Sequence, residues 1–270
     1  MPSTDDGMRL TVLGSSASQP GAGDASSGYL VTGGRGRRDR VLLDCGGGIL
    51  GNLLQHTTLT EISAIFVSHM HPDHYIDLIA MRYGLRYGDG RSAPLDVYLP
   101  PGGRAQLQAV SEAISKTQPF FAGALNLHEY VPEAPLTVGS LTVTPFAVVH
   151  GIPSHGMAVT DGASRLVYSS DTVMCSELEA AATGADVLLA EATLAGGAPD
   201  HHDPRTHLSA VEAGQIASRA GVRTLVLTHF WHTADRSRAR QEASFVFNGN
   251  VVVGRPHVQI AIGTGIALTP

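Results

Sequence analysis

The stretch Ser68-His69-Met70-His71-Pro72-Asp73-His74 sets three imidazoles and one carboxylate within six positions, directly after the apolar run Ala64-Ile65-Phe66-Val67. Core packing gives no reason to gather four polar, metal-capable side chains so closely. His69 and His71 are two apart, so they point the same way only on an extended or turning chain. Asp73 and His74 are adjacent, so they diverge and can reach a second centre. Pro72 fixes one backbone angle and discourages regular helix across the cluster. The segment reads as a buried strand ending in a ligand-bearing loop, with its ligands split between two cations.

The remaining pattern alternates strands and helices. Strands are expected over residues 8–13, 28–32, 40–44, 64–67, 95–99, 127–131, 136–138, 141–148, 156–160, 165–169, 186–190, 224–227 and 258–262. Helices are expected from the glycines at 46–48 toward Gln55, and over 77–87, 104–116, 176–182, 208–220 and 236–247. Leu107, Val110 and Ile114 carry helical spacing in the third of these, and Gly221 stops the fifth. This alternation predicts an α/β or α+β class with buried sheets. No low-complexity linker divides the 270 residues, so one domain is expected over 1–270, with 1–7 as a disordered tail.

Four further polar residues stand just past apolar runs: His150 after 142–149, Asp171 after 166–170, Glu191 after 187–190 and His229 after 225–228. Strand ends at one sheet edge are where layered α/β proteins build sites. One such residue is unremarkable. Four of them, with the His69–His74 cluster, point to a single convergent site.

Taken together these strings resemble the metallo-β-lactamase-fold hydrolases, close to their ribonuclease Z-like branch. The matching segments are Asp44-Cys45-Gly46-Gly47-Gly48, His69-x-His71-x-Asp73-His74, Tyr168-Ser169-Ser170-Asp171-Thr172, Ala190-Glu191-Ala192-Thr193, Thr206-His207-Leu208-Ser209 and Leu227-Thr228-His229. They run in order over nearly the whole chain. Position 170 is Ser where this branch more often has Gly. The resemblance implies a four-layer αβ/βα sandwich with metals at one edge of two sheets. It assigns His69, His71 and His150 to one metal, Asp73, His74 and His229 to the other, and Asp171 to both. It gives His207 the task of stabilising or protonating the departing oxygen, and Glu191 that of orienting His207. Asp44 becomes support for the ligands.

Nitrogen and oxygen donors suit zinc first, with Mn²⁺ or Fe²⁺ as alternatives. Two such ions sharing a water hold it as hydroxide, which attacks the substrate. The substrate implied is a small phosphodiester of the cyclic-nucleotide type. The full two-metal set and the Glu191/His207 pair favour it, as does the match to small bacterial members proposed for that role. RNA is disfavoured. The interval from His150 to Asp171 is only 21 positions (171 minus 150), too short for the tRNA-clamping arm of long ribonuclease Z forms. The net charge of −6 also suits a large polyanion poorly. A thioester, lactone or lactam hydrolase is the rival enzyme, and a metal-stabilised binding module without catalysis is the rival class.

His155 and Ser170 are the candidate substrate contacts. The 196–204 segment, rich in imidazole and turn residues, is a candidate lid. Arg82, Arg86 and Arg91 are expected on a helix face, and Arg35–Arg40 in a solvated turn. Two isolated cysteines, Cys45 and Cys175, fit a reducing cytoplasm. No leader or membrane-spanning run is evident. Relatives of this kind imply a homodimer.

Overall fold

The computed structural model describes residues 7–34, 39–88, 93–198, 204–263 and 268–269. Its first sheet begins with β1 (Met8–Gly14), β2 (Gly28–Thr32) and β3 (Arg40–Leu43), an antiparallel run. The chain then crosses over α1 (Ile49–Leu53), α2 (Leu78–Tyr87) and α3 (Gly103–Ile114) to add β4 (Ala64–Phe66), β5 (Leu95–Leu99) and β6 (Leu125–Glu129) in parallel. Helical crossovers between parallel strands place α1–α3 on the outer face.

The second sheet opens with three antiparallel strands: β7 (Leu136–Val138), β8 (Leu141–Val148) and β9 (Ser154–Thr160). β10 (Arg165–Tyr168) pairs antiparallel with β9. Then α4 (Ser176–Ala182), α5 (Ala210–Ala220) and α6 (Arg236–Val246) carry the chain to β11 (Val187–Glu191), β12 (Thr224–Thr228) and β13 (Asn250–Val253), all parallel to β10. Last, β14 (Gln259–Ile262) and β15 (Leu268–Thr269) return to the first sheet beside β1.

Alternation along the strands explains why the sheets stack. Met8, Leu10 and Val12 face inward with Val41, Leu43, Phe66, Leu166, Tyr168, Leu189 and Val226, forming the core between the two sheets. The opposite faces of the same strands pack under helices. Leu30, Leu42, Ile65 and Val97 lie beneath α1–α3, and Val167, Leu188, Leu225 and Ala213 belong to the layer with α4–α6. The result is the expected four-layer αβ/βα sandwich.

Differences from the sequence expectation have local causes. The fifth helix starts at Ala210, not Leu208, because the Ser209 hydroxyl accepts from Glu212 N and the Glu212 carboxylate returns to Ser209 N. β9 starts at Ser154 because Ser154–Gly156 continue pairing with Phe146–Val148. β6 covers 125–129 rather than 127–131, leaving Val131 exposed. β13 was not anticipated.

Arg82 is a larger correction. It is buried, not on a solvated face: its Nε donates to Phe120 O at 2.8 Å, and its guanidinium lies 4.7 Å from the Phe120 ring and 5.1 Å from Tyr83. The aromatic partner arrives from nearly forty residues downstream, so helical spacing alone could not show it. Arg91, residues 35–38, the tail at 1–6 and the 199–203 part of the candidate lid lie outside the described residues. No described helix is long and apolar enough to cross a membrane. Both cysteines are free thiols.

Gly46 fixes how the His-rich loop meets the sheet. A Cβ there would stand 1.9 Å from Asp73 O and 2.8 Å from Ser27 O, both backbone atoms. Only a residue without a side chain lets these segments approach. Gly46→Ala is expected to cost at least about 1–3 kcal/mol by overpacking, read as a lowered midpoint in a chemical melt. A wild-type midpoint would show that the loop tolerates displacement.

Candidate metal centre

Every sequence-predicted ligand stands where a strand stops at one edge of the sandwich. His69, His71, Asp73 and His74 follow β4, His150 follows β8, Asp171 follows β10 and His229 follows β12. β10, β11 and β12 are parallel, with Tyr168 level with Leu189 and Glu191 level with Thr228. That register delivers Asp171, Glu191 and His229 to the same edge. Three non-glycine residues there hold left-handed backbones: Asp44 (φ 60°), Ser170 (φ 56°) and His229 (φ 55°). Such conformations persist only where surrounding contacts impose them, and they turn these chains sharply at the strand ends.

The side chains converge. His69 Nε2 is 3.0 Å from His71 Nδ1, which is 3.3 Å from His150 Nε2. Asp171 Oδ2 lies 3.4 Å from His229 Nε2, 3.5 Å from His74 Nε2 and 3.8 Å from His69 Nε2. Asp73 Oδ2 is 3.4 Å from His229 Nε2 and 3.5 Å from His74 Nε2. Three overlapping groups result among the described residues: His69, His71, His150 and Asp171; Asp73, His74 and His229; and Asp171, His207 and His229, of which the first two hold every sequence-predicted ligand.

The hydrogen bonds behind the rings decide what faces inward. His74 Nδ1 donates to Asp44 Oδ2 at 2.8 Å. His150 Nδ1 donates to Thr206 O at 3.1 Å. The Thr193 hydroxyl gives its proton to Glu191 Oε2 at 2.7 Å, so it accepts from His229 Nδ1 at 2.8 Å. Ser68 Oγ gives its proton to Asp44 at 2.9 Å, so it accepts from His69 Nδ1 at 3.0 Å. With Nδ1 committed in four rings, each presents Nε2 to the centre, as a metal-binding imidazole does when its other nitrogen is tied back.

Two buried atoms at the middle, His74 Nε2 and Asp171 Oδ1, have no hydrogen-bond partner among the described residues. Buried polar atoms are rarely left so unless something else binds them. Nitrogen donors about 3.0–3.3 Å apart also match the edge of a tetrahedral site with bonds of about 2.0–2.1 Å. The donor set therefore fits divalent cations.

Protonation follows the same logic. Burial, aided by neighbouring imidazoles, pushes His69, His71 and His150 below the ordinary histidine range. For Asp73 and Asp171, burial works the other way, yet the surrounding imidazoles outweigh it and hold both carboxyls well below the usual range. Burial would lower His74, but Asp171, Asp73 and Asp44 together push it well up. A cation at Nε2 would take the place of that extra proton.

Support comes from Asp44 and Glu191. Fully buried, Asp44 accepts from Ser68 N at 2.7 Å, from Ser68 Oγ, from His74 Nδ1 and from Tyr168 Oη at 2.7 Å. Glu191, also fully buried, accepts from Thr172 N at 2.9 Å, Thr193 N at 3.1 Å, Thr193 Oγ1 and His207 Nδ1 at 2.9 Å. Burial would depress His207, but Glu191 overcomes it and the imidazole is pushed up to about 9.

Tyr168, Ser68 and Thr193 tie the ligands together, although no role was read for them from sequence. Tyr168 and Thr193 stood inside the recognised strings, so position was legible while purpose was not. The two candidate substrate contacts lie elsewhere. His155 is buried against Tyr130, rings 5.2 Å apart, and its N–H donates to Ser68 O. Ser170 is buried with its hydroxyl 2.9 Å from Ser154 Oγ and 3.4 Å from His69 Nδ1. Neither is among the described residues that line the adjoining cavity.

Asp44→Asn keeps the shape but puts an amide where only an acceptor satisfies the donors. Metal affinity is expected to fall about 10–100-fold, measured by competition with a chromophoric chelator. Unchanged affinity would mean that Asp44 holds backbone alone.

A cavity of about 440 Å³ opens onto this cluster. His71, Asp73, His150, Asp171, His207 and His229 are among its described lining residues, together with Ala17, Pro72, Leu194 and Trp231. A larger cavity of about 590 Å³ lies against α3 and β6, away from the cluster. The candidate ligands line the smaller one.

Two mixed sheets between helices, with histidines and aspartates gathered at one edge, define a metallo-β-lactamase-fold hydrolase. The beta-lactamase superfamily domain matches residues 39–230, and the chain belongs to that family. An uncharacterized protein of Mycobacterium tuberculosis is 36% identical over 247 residues, covering 90% of this chain and 88% of that one. Ribonuclease Z of Myxococcus xanthus is 30% identical over 295 residues, covering 91% and 95%. The crystal structure of the metallo-beta-lactamase fold protein YhfI from Bacillus subtilis superposes with a TM-score of 0.83 at 27% identity, covering 94% of this chain and 99% of that one. Membership in this family of metallo-hydrolases implies divalent metal ions.

Proposed function

We propose that the protein is a dinuclear-metal phosphodiesterase acting on a small nucleotide phosphodiester of the cyclic-nucleotide type. One observation carries this reading: His207, held by a buried Glu191, shares a cavity with the two ligand groups. A sugar alkoxide is a poor leaving group unless it receives a proton, whereas a thiolate leaves without one. A positioned imidazole therefore favours a P–O ester over a thioester. Size and charge support the same reading. The 440 Å³ cavity lies within the roughly 300–1,000 Å³ of small-ligand sites. Among the described residues that line it there is no Lys or Arg, which is unlike an RNA groove. The 150–171 interval is taken up by β9 and β10, leaving little length for a tRNA-clamping arm.

In this reading His69, His71 and His150 would hold one cation and Asp73, His74 and His229 the other, with Asp171 serving both. Bound there, the cations supply positive charge for the phosphoryl oxygens and lower the pKa of a water. The chain's own part is positional. Glu191 takes the Nδ1 proton of His207 as a hydrogen bond, which directs Nε2 away from Glu191. Nε2–H then donates to the departing sugar oxygen. Thr193 joins Glu191 to His229, so ligand and proton donor keep a constant relation. Leu194 and Ala17 add apolar lining to the same cavity.

The test is turnover of cyclic AMP and bis(p-nitrophenyl) phosphate by protein shown by elemental analysis to carry two Zn²⁺ or Mn²⁺ per chain. Thioester and lactone substrates run in parallel. Turnover of the carbonyl esters alone would replace this reading with the acyl-hydrolase one.

A further inference from the structure

The part of the cavity lining outside the ligand groups and His207 has no counterpart in the chemistry described so far. Its largest side chain is Trp231, the one tryptophan in the sequence and a half-buried residue. The backbone beneath it is anchored. Phe230 N donates to Ser15 O at 2.7 Å, and Ala17 N donates to Phe230 O at 2.9 Å, a parallel bridge between the two segments. Phe230 is fully buried, and the Arg236 guanidinium sits 4.8 Å from its ring while pairing with Asp24 at 2.5 Å. The indole thus stands on a fixed platform at the cavity's edge, two positions past His229.

An anchored indole beside a site for a charged group suits a substrate with two unlike ends. The anionic end belongs with the ligand cluster. Among the described residues that line the cavity, the charged and imidazole groups all belong to the ligand groups or to His207, which leaves shape and polarisability to select the other end. A flat heteroaromatic ring is what an indole face recognises without hydrogen-bond readout. We propose that Trp231 is the specificity-determining wall of the site and stacks on the nucleobase of the substrate. This rests on the phosphodiesterase reading above and narrows it to nucleotides, with tolerance for which base is present.

Because the chain has a single tryptophan, its emission reports on this position alone. Metal-loaded protein is titrated with AMP and, separately, with ribose 5-phosphate. Saturable quenching by AMP, with little from ribose 5-phosphate, is the expected result. In steady-state kinetics with cyclic AMP, Trp231→Leu should raise KM about 5–150-fold, the equivalent of about 1–3 kcal/mol of stacking. Its kcat should change little, and Trp231→Phe should retain most of the wild-type KM. Equal quenching by both ligands, or no quenching by AMP, overturns the stacking wall even if cyclic AMP is cleaved. An unchanged KM in Trp231→Leu does the same. Base-dependent quenching in a metal-loaded protein that cleaves no phosphodiester supports the wall and sinks only the catalytic reading. The emission arm uses the wild-type chain, so a variant that fails to fold leaves the test standing.

Discussion

Asp171→Ala should remove activity more completely than any other single change in this protein. Its Oδ2 lies within 3.8 Å of three ring nitrogens, and its Oδ1 is buried with no hydrogen-bond partner among the described residues. A carboxylate so placed lies beside rings of both ligand groups, so in the bridging role proposed above its loss would open both. Loss of several kcal/mol of transition-state stabilisation corresponds to at least about a thousandfold in turnover. Elemental analysis of the dialysed variant should show fewer bound ions per chain. The wild-type chain treated with chelator should lose stability in the same sense. An ion present at 100 times its dissociation constant contributes about 2.7 kcal/mol per site. Asp171→Ala that keeps two ions and its rate would remove the bridging assignment.

His207→Ala should reduce kcat about 10²–10⁴-fold while bound metal stays at the wild-type level. The distinction matters because Asp171, His207 and His229 also offer atoms close enough to form a metal group of their own. Loss of an ion along with activity would make His207 a ligand, not a proton donor. Glu191→Gln should give a smaller fall. The imidazole keeps a hydrogen-bond partner but loses the adjacent negative charge that raises its pKa. Its effect should therefore appear as a shifted pH–rate profile more than as a lost contact. A Glu191→Gln profile identical to wild type would reduce Glu191 to a structural acceptor for Thr172 and Thr193.

The legible part of the site was the part written in consecutive residues. His69, His71, Asp73 and His74 stand together in sequence, and the polar residues at the end of β11 and beyond β8, β10 and β12 follow apolar runs that announce strands. Parallel register then brings those residues to one edge almost automatically. His155 and Ser170 show the opposite. Ser170 directly precedes Asp171, yet its hydroxyl meets Ser154, and the ring of His155 packs against Tyr130. Strand parity and a left-handed turn at position 170 decide that direction, and neither is visible in residue type. Arg82 misled for a related reason, since the aromatic surface that buries it comes from another element.

Local order of residues was enough to announce a layered α/β chain, a ligand-bearing loop after β4 and the polar residues that gather as candidate metal ligands. Those depend on periodicity and on donor chemistry, which neighbours along the chain carry. Tertiary structure alone decided which ring nitrogens face the centre, that Asp44 and Glu191 hold those rings from behind, and that Trp231 lines the same cavity. Each of these depends on hydrogen bonds or contacts between segments far apart in sequence, and a linear reading contains no distances between them.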